Sequence, residues 1–363
     1  MCIVDSKELE RQPEVPPGGG FFRLRGRRSV KEEVMTTRPV HHGIPADILA
    51  LSHERDELRK RGQYARADAL KKLIEDAGYG IKDNPRGAHL IILPSVEIDG
   101  MLYRTARQVP SLLNERDMCL FSVLILANNC AGPASRCIES LFRFAGSHAI
   151  EVLLIDNASQ DELSIWAREF QQESALLHVI RASRVMGEGE AHNLGLKLSR
   201  GRYILQLDPS IELTGDLFTP LAQLLERPEI GITGLHGLRT DDLRHFEESE
   251  DELVEAISGT CMAFRRSLLK TAGLFDEGYR FPAFMDIDFT FTVRESGVQA
   301  VVARELPILR HPSQASAALS DAERTRLTKR NFYRFLQKWG DREDLLLNAA
   351  EADEEGHEEE EGF

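Results

Sequence analysis

Polar acceptor side chains follow three apolar, strand-like runs in the middle of the chain. They are Asn128, Asp156 with its neighbour Asn157, and Asp208. Carboxylate oxygens are hard ligands suited to Mg²⁺ or Mn²⁺, and a carboxylate can also take a proton from a hydroxyl group. An Asp after a strand often only caps the next helix, as we expect of Asp161. Three clusters at corresponding positions nevertheless favour a binding or catalytic site over three separate caps.

The elements that would position these side chains alternate between strands and helices. Apolar runs predict strands at 121–127, 152–155, 176–180 and 203–207. Helical patterns lie between them, beginning near Pro133 and covering 161–170 and 190–198. Repeated strand–helix–strand units predict an α/β fold with a mostly parallel sheet and helices on both faces. Ligands of such sheets bind at the carboxyl ends of the strands, where the three polar clusters would meet.

A different pattern precedes this region. Apolar side chains at helical spacing predict two helices over 45–62 and 64–78, with Gly62 at the junction, and therefore an antiparallel helical hairpin. A turn at 83–87 and a short strand at 89–93 follow. Basic side chains on the hairpin alternate with acidic ones, which is typical of a solvated helix surface.

Charge and composition exclude several classes of protein. The chain has 363 residues and a net charge of −14, but acidic side chains concentrate in two runs, 247–255 and 351–361. Such runs usually remain solvated and unstructured, so the charge says little about the substrate. No stretch of about 18 apolar residues predicts a membrane-spanning helix. The five cysteines form no CxxC pair, which favours a reduced, cytoplasmic protein, with the inner face of a membrane as an open alternative.

Six segments, in order, carry a resemblance to family 2 glycosyltransferases, especially the rhamnosyltransferase-like branch. They include VLLIDNASQD at 152–161, YILQLDPS at 203–210 and FMDIDF at 284–289. The others are 187–195, 259–277 and 330–339, so the resemblance spans roughly residues 119–340. Each segment alone is a weakly specific signal, but the occurrence of all six in the family's order is a strong one.

The resemblance implies a GT-A fold and inverting transfer of a sugar from a nucleotide-diphosphate donor to a glycan or polysaccharide acceptor. It also implies roles for individual residues. Asp286 would be the catalytic base, and Asp208 with His311 would lie at a divalent cation, Mg²⁺ or Mn²⁺. The residues around the nucleotide sugar would be Asn128, Asp156, Asn157, Gly187, Asn193 and Asp208.

Two positions depart from the family's pattern. Ser210 stands where the family's DxD motif has its second Asp, and a hydroxyl is a much weaker metal ligand than a carboxylate. Glu212 could compensate if strand alternation places it on the same side. Met285 stands where relatives commonly have Glu. The sequence therefore leaves two interpretations open. One is an active transferase, and the other is a degenerate, non-catalytic protein that binds a nucleotide sugar or a partner.

The N-terminal hairpin resembles the C-terminal tail of cysteinyl-tRNA synthetases over about 35 residues, without any synthetase catalytic motif. We expect a small docking module for a protein or peripheral membrane partner, and nucleic acid is not the expected partner. The predicted domains are an N-terminal tail (1–43), the hairpin (44–93), a linker (94–117), the GT-A domain (118–345) and an acidic tail (346–363).

Overall fold

The computed structural model describes residues 44–84, 87–312 and 320–347. The predicted N-terminal tail, the second acidic run and all but residues 346–347 of the predicted acidic tail therefore lie outside the described residues. The domain boundaries given above stay predictions.

The first described unit is the helical hairpin followed by a β-hairpin. It comprises α1 (Ala46–Lys60), α2 (Tyr64–Asp76), β1 (Tyr79–Asn84) and β2 (Gly87–Ile92). Gly62 joins the helices with φ +71°, a left-handed conformation that glycine adopts without strain. Ile48, Ile74 and Leu90 form its small apolar core. The predicted hairpin of helices is thus present.

A ten-stranded sheet forms the centre of the molecule. Its strands, in spatial order, are β13 (Leu253–Val254), β16 (Gln299–Val302), β10 (Ile230–Gly234), β15 (Cys261–Arg265), β8 (Gly201–Leu207), β5 (Cys119–Ala127), β6 (Ile150–Asp156), β7 (Leu177–Ala182), β3 (Val96–Ile98) and β4 (Met101–Tyr103). The four strands β8, β5, β6 and β7 are parallel to one another. Their continuous apolar sequences reflect burial on both faces, as expected for parallel strands.

Helices cover both faces of this sheet. They are α3 (Ala131–Phe144), α4 (Leu163–Glu173), α5 (Glu188–Leu198), α6 (Phe218–Glu226), α7 (Met285–Arg294) and α8 (Asp321–Trp339). Val123 packs in the core with α3, α4 and α6, whereas its neighbour Leu124 packs in the core with α5 and α7. Because successive strand residues point to opposite faces, the two cores lie on opposite sides of the sheet. The predicted α/β fold class is confirmed.

The sheet is mixed, because antiparallel strands flank the parallel centre. β15 is antiparallel to both β8 and β10, and β3 is antiparallel to β7. Segment 94–117, predicted as a linker, therefore contributes β3 and β4 to the sheet as well as connecting two regions. Short strands form two further small sheets: β9 (Ile211–Leu213) with β17 (Ile308–Arg310), and β11 (Gly237–Arg239) with β12 (Glu247–Ser249) and β14 (Ala256–Ile257).

The prediction that the acidic run 247–255 is solvated and unstructured was wrong. The run forms β12 and β13, and Glu255 is fully buried. Its carboxylate lies 2.9 Å from the Arg239 guanidinium and accepts a hydrogen bond from the backbone N–H of Leu347 at 3.0 Å. An ionised side chain tolerates burial when it is paired and hydrogen-bonded, and the pattern of acidic residues did not reveal these partners. Among the described residues, no helix has the length and apolar character needed to cross a bilayer.

Candidate active site

Three of the predicted site residues lie at the carboxyl ends of adjacent parallel strands. Asp208 follows β8, Asn128 follows β5, and Asp156 is the last residue of β6. These strands are neighbours in the sheet, so the three side chains share one edge. Asn128 connects two of the loops by donating its Nδ2–H to the backbone oxygen of Asn157 at 2.6 Å.

Asp208 and Asp286 are connected through two backbone residues. The N–H of Asp208 donates to the carbonyl of Thr260 at 2.8 Å. The N–H of Gly259, the preceding residue, donates to Oδ2 of Asp286 at 2.8 Å. The carboxylate after β8 and the carboxylate at the start of α7 are therefore held at one site, although 78 positions separate them in the sequence.

Gly259 permits this close approach because it has no side chain. A Cβ at this position would lie 2.9 Å from Nε2 of Gln206 and 3.3 Å from Cβ of Asp286. Gln206 in turn donates to the carbonyl of Gly259 at 3.1 Å, which fixes the loop from the β8 side. A larger residue at this position would displace the end of Gln206 and press on the candidate base.

Asp286 lies in the first turn of α7, next to Phe284, whose φ of +68° turns the chain into the helix. Desolvation by the surrounding protein raises the pKa of this carboxyl, and the nearby Glu188 carboxylate adds to the rise. The hydrogen bond from Gly259 acts in the opposite direction. A carboxylate with a raised pKa is a stronger base, which suits proton removal from a hydroxyl group.

The altered DxD segment forms a small polar cluster around Asp208. Oδ1 of Asp208 accepts the N–H of Ser210 at 2.8 Å, while Oγ of Ser210 is buried without a hydrogen-bond partner. Glu212 does not join Asp208 directly, since its carboxylate lies 2.7 Å from Nε2 of His311 and 3.6 Å from Arg136. The backbone N–H of His311 donates to the Ser210 carbonyl at 2.9 Å, which holds His311 at this cluster.

The protein atoms around Asp208 fit a cation that is held partly by the substrate. In the described part of the chain, no group of three or more His, Cys, Asp or Glu side chains is placed to hold a metal ion. Mg²⁺ commonly uses one or two protein carboxylates together with substrate phosphates and water, so a single carboxylate such as Asp208 is compatible with that arrangement. The buried, unpaired Ser210 hydroxyl offers a further oxygen.

Asp156 is fully buried at the end of β6. Its Oδ1 accepts the N–H of Ser159 at 2.8 Å, and its Oδ2 makes no hydrogen bond but lies 3.5 Å from Nε of Arg181. Arg181 was not among the predicted site residues. The predicted strand ended at Ile180, whereas β7 continues to Ala182, so the arginine lies at the same sheet edge as Asp156.

Asn157 and Asn193 hold loops in place. The amide of Asn157 accepts the N–H of Met186 at 2.8 Å and donates to its carbonyl at 3.2 Å, which fixes the chain just before Gly187 at the start of α5. The amide of Asn193 makes the same pair of bonds to the backbone of Phe275, at 3.0 Å and 2.9 Å. Both side chains therefore position the site's loops through their own hydrogen bonds.

Replacing Asn193 by Ala is expected to lower the free energy of unfolding by roughly 1–3 kcal/mol, because it leaves the buried backbone groups of Phe275 unpaired. Urea denaturation measures this change. Asn193→Asp is the second comparison, since it keeps the acceptor for the N–H but turns a buried carboxylate toward the Phe275 carbonyl and Glu277. It should be at least as destabilising as Asn193→Ala, because the buried charge has no partner. An unchanged Asn193→Ala midpoint would contradict the positioning role.

A family match agrees with this geometry. Residues 122–277 match the family model "Glycosyl transferase family 2", which covers the strand ends at Asn128, Asp156 and Asp208 and the segment at Gly259. This part of the chain, less than half of its length, is therefore similar to family 2 glycosyltransferase domains. Asp286 and His311 lie beyond the matched residues.

Individual relatives are similar over part of their length. The chain is 28% identical over 115 residues to the uncharacterized glycosyltransferase EpsJ of Bacillus subtilis (strain 168), a match that spans 32% of this chain and 33% of that protein. The structure of GalNAc-T7 with UDP, GalNAc and Mn²⁺ aligns with a TM-score of 0.52 at 16% identity, covering 62% of this chain and 49% of that one. The structure of S. aureus TarS 1–349 with UDP-GlcNAc aligns with a TM-score of 0.47 at 18% identity, over 60% and 67% of the two chains. At 16% identity the likeness to GalNAc-T7 bears on the fold alone, which is of the GT-A type.

Proposed function

We propose that the protein is an inverting glycosyltransferase that moves a sugar from a nucleotide-diphosphate donor to a glycan or polysaccharide acceptor. The observation that carries this proposal is the connection of Asp208 to Asp286 through Gly259 and Thr260. It brings a carboxylate suited to the cation that would hold the donor diphosphate, and a carboxylate with a raised pKa, to one site.

Asp286 acts as the base in this mechanism. It accepts the proton of the acceptor hydroxyl as the oxygen attacks the anomeric carbon from the face opposite the leaving diphosphate, so the configuration inverts. Asn128, Asp156, Asn157, Gly187 and Asn193 form and support the nucleotide side of the site. Positive charge is needed where the diphosphate departs, because negative charge accumulates there in the transition state.

A divalent cation, Mg²⁺ or Mn²⁺, would supply that charge when bound. Asp208 is the protein carboxylate placed to hold it, with the Ser210 hydroxyl and His311 nearby. The Mn²⁺ in the GalNAc-T7 structure supports this assignment, although that ion belongs to a distant relative.

The second candidate function is binding of a nucleotide sugar without turnover. It is favoured by Ser210, since the second DxD carboxylate is missing and Glu212 is engaged with His311 instead of Asp208. This candidate predicts nucleotide binding that does not depend on a metal ion.

A thermal-shift titration separates the two candidates. The transferase should be stabilised by UDP-, GDP- or dTDP-sugars, more strongly with Mn²⁺ or Mg²⁺ than with EDTA, because a ligand that binds only the folded state raises Tm. Asp208→Asn should remove the metal-dependent part of the shift. Equal shifts with metal and with EDTA, without product formation, would support the binding protein instead.

We also propose a family branch, a location and a role for the helical hairpin. The motif order supports a relation to the rhamnosyltransferase-like branch, and its location would be the cytoplasm or the inner face of a membrane. The hairpin of α1 and α2 would dock a protein or membrane partner. Its attachment to the rest of the chain includes an ion pair between Glu75 and Arg107 and a hydrogen bond from Gln108 to the Asp76 carbonyl at 3.0 Å.

A further inference from the structure

The helix α8 packs against α7, the helix that carries the candidate base. Phe335 and Trp339 of α8 lie in one core cluster with Ile287 and Phe291 of α7. All four side chains are buried, so the two helices form one apolar contact. Because α8 lies beyond residues 122–277, it is outside the matched family region.

Asn331 is a buried polar side chain on α8 that faces the segment leading into α7. Its Nδ2 donates to two backbone carbonyls, those of Phe281 and Ala283, at 2.8 Å each. A side-chain amide nitrogen carries two N–H donors, so both are used here. Asn331 therefore fixes the backbone of residues 281–283 against α8.

The fixed segment is followed by a strained backbone conformation. Phe284 has a φ of +68°, in the left-handed region that residues with a side chain rarely adopt. Such a conformation persists only where the surrounding structure enforces it. The carbonyls held by Asn331 lie directly before Phe284, and its ring packs against those of Phe332 and Phe335 with centroids 5.5 Å and 5.7 Å apart. α8 therefore enforces the turn from which α7 begins.

This turn sets the position of Asp286, which lies two residues after Phe284. Oδ2 of Asp286 accepts the N–H of Gly259 at 2.8 Å, and a rotation of the first turn of α7 would carry the carboxylate away from that donor. A general base must lie within hydrogen-bond reach of the proton that it accepts. A displacement of about 1 Å is therefore enough to lower the rate strongly.

We propose that Asn331 is a positioning residue for the candidate base. It acts through the backbone of residues 281–284, which it holds in the conformation that directs Asp286 toward Gly259. The catalytic part of this inference rests on the proposed function, because it assumes that Asp286 is the base. The structural part, that Asn331 keeps Asp286 bonded to Gly259, is independent of the reaction.

Hydrogen exchange of the Gly259 amide tests the structural part on the full chain. Asn331→Ala should speed this exchange at least about tenfold relative to the amides of β5, as expected for the loss of a hydrogen bond to a charged group. Trp339→Phe is the matched control on the same helix. It removes the indole donor from Asp288 but leaves residues 281–284 bonded, so it should lower Tm without changing the relative exchange of Gly259.

A double-mutant cycle tests the connection to the base. The measured rate is release of the nucleoside diphosphate from whichever UDP-, GDP- or dTDP-sugar stabilises the protein most, with water as the acceptor. Asn331→Ala should lower kcat per folded protein about 10- to 100-fold and change the donor's Kd by less than about twofold, because the nucleotide side of the site is left in place.

In the Asp286→Asn background the same substitution should change kcat by less than about twofold, since residues that act through one group are not additive. Asn331→Gln keeps the amide donors on a longer side chain, and it should recover part of the rate and part of the Gly259 protection. Both measurements can be made on this variant if Asn331→Ala does not fold.

Two results would overturn the inference: unchanged exchange of Gly259 in the folded Asn331 variants, or full additivity of the Asn331 and Asp286 substitutions. Failure of the proposed function would look different. In that case the unmodified protein would turn over none of the nucleotide sugars, while the Gly259 amide would still respond to Asn331→Ala.

Discussion

Replacing Asp286 by Asn is expected to lower the rate of sugar transfer by roughly 10²- to 10⁴-fold, the contribution of a positioned general base. Asn has the same shape and its amide oxygen can still accept the Gly259 N–H, so the loop that connects to Asp208 should remain in place. The measurement is kcat with a saturating nucleotide sugar, together with the donor's Kd. Transfer that persists in Asp286→Asn would reject this residue as the base.

The stability of the same variant provides an independent readout. The pKa of Asp286 is raised in the folded protein, so the ionised form is destabilised by burial. Such a carboxyl group contributes most to the stability of the folded protein at pH values below its pKa in the unfolded chain. That contribution is lost as the pH rises through its pKa in the folded protein. At neutral pH, Asp286→Asn should therefore be at least as stable as the unmodified protein while being far less active.

Asp288 is the matched control, because it lies one residue beyond Ile287 on the same helix but faces α8. Its carboxylate accepts the indole N–H of Trp339 at 2.8 Å and lies 3.1 Å from Nζ of Lys338. Burial raises the pKa of Asp288 as well, so the informative substitution is Asp288→Ala, which removes the acceptor of the buried Trp339 N–H. Asp288→Ala should lower Tm and leave kcat of the folded protein nearly unchanged. The two variants thus separate loss of the base from loss of packing.

The pH dependence of kcat of the unmodified protein follows from the same raised pKa. The base must be ionised to accept a proton, so kcat should fall as the pH decreases through the pKa of Asp286. Because this pKa is raised, the fall should occur above the usual range for Asp. A kcat that stays constant down to the pH range in which Asp ordinarily titrates would contradict a raised pKa of Asp286 in the substrate complex.

Replacing Glu255 by Ala is expected to lower the free energy of unfolding by about 1–3 kcal/mol, because it removes a buried acceptor and leaves the Leu347 N–H without its partner. Arg239 also loses this carboxylate, but its side chain is partly exposed and keeps an ion pair with Asp251, so the cost stays below that of breaking a fully buried pair. Arg294 is affected as well, since the Glu255 carboxylate opposes the desolvation that lowers the pKa of Arg294. Chemical denaturation monitored by tryptophan fluorescence measures the change.

Glu252 offers a matched control from the same acidic run, because its side chain is exposed. Glu252→Ala should change stability by no more than about 0.5 kcal/mol. Similar effects of the two substitutions would mean that Glu255 is not the paired, buried member of the run. Activity should follow stability in both variants, since neither side chain lies at the site.

Local sequence patterns predicted the strands and helices around the site because burial on both faces requires long apolar runs. The positions of Asn128, Asp156 and Asp208 at the ends of adjacent strands followed from the same pattern. Contacts between distant segments were not predictable in this way. The pairing of Asn193 with Phe275 and of Glu255 with Arg239 depends on tertiary packing, which local periodicity does not encode.

Short strands show the same difference. β3 contains only three residues, Val96–Ile98, and gains its place in the sheet by pairing with β7, more than 80 positions later. Its sequence has no run long enough to predict a strand. Arg181 and Glu97 were therefore missed as neighbours, although each is an ordinary charged residue in the sequence.

The direction of β15 has a consequence for how the site works. Since it runs opposite to β8, its beginning, and not its end, lies beside Asp208. Of the two residues just before it, Thr260 bonds Asp208 and Gly259 bonds Asp286. In a wholly parallel arrangement those residues would lie at the opposite end of the strands. Displacement of the segment at Gly259 would therefore disturb both carboxylates together. Under the proposed function, the departing diphosphate and the attacking hydroxyl would then be affected at the same time, and neither could be redesigned independently of the other.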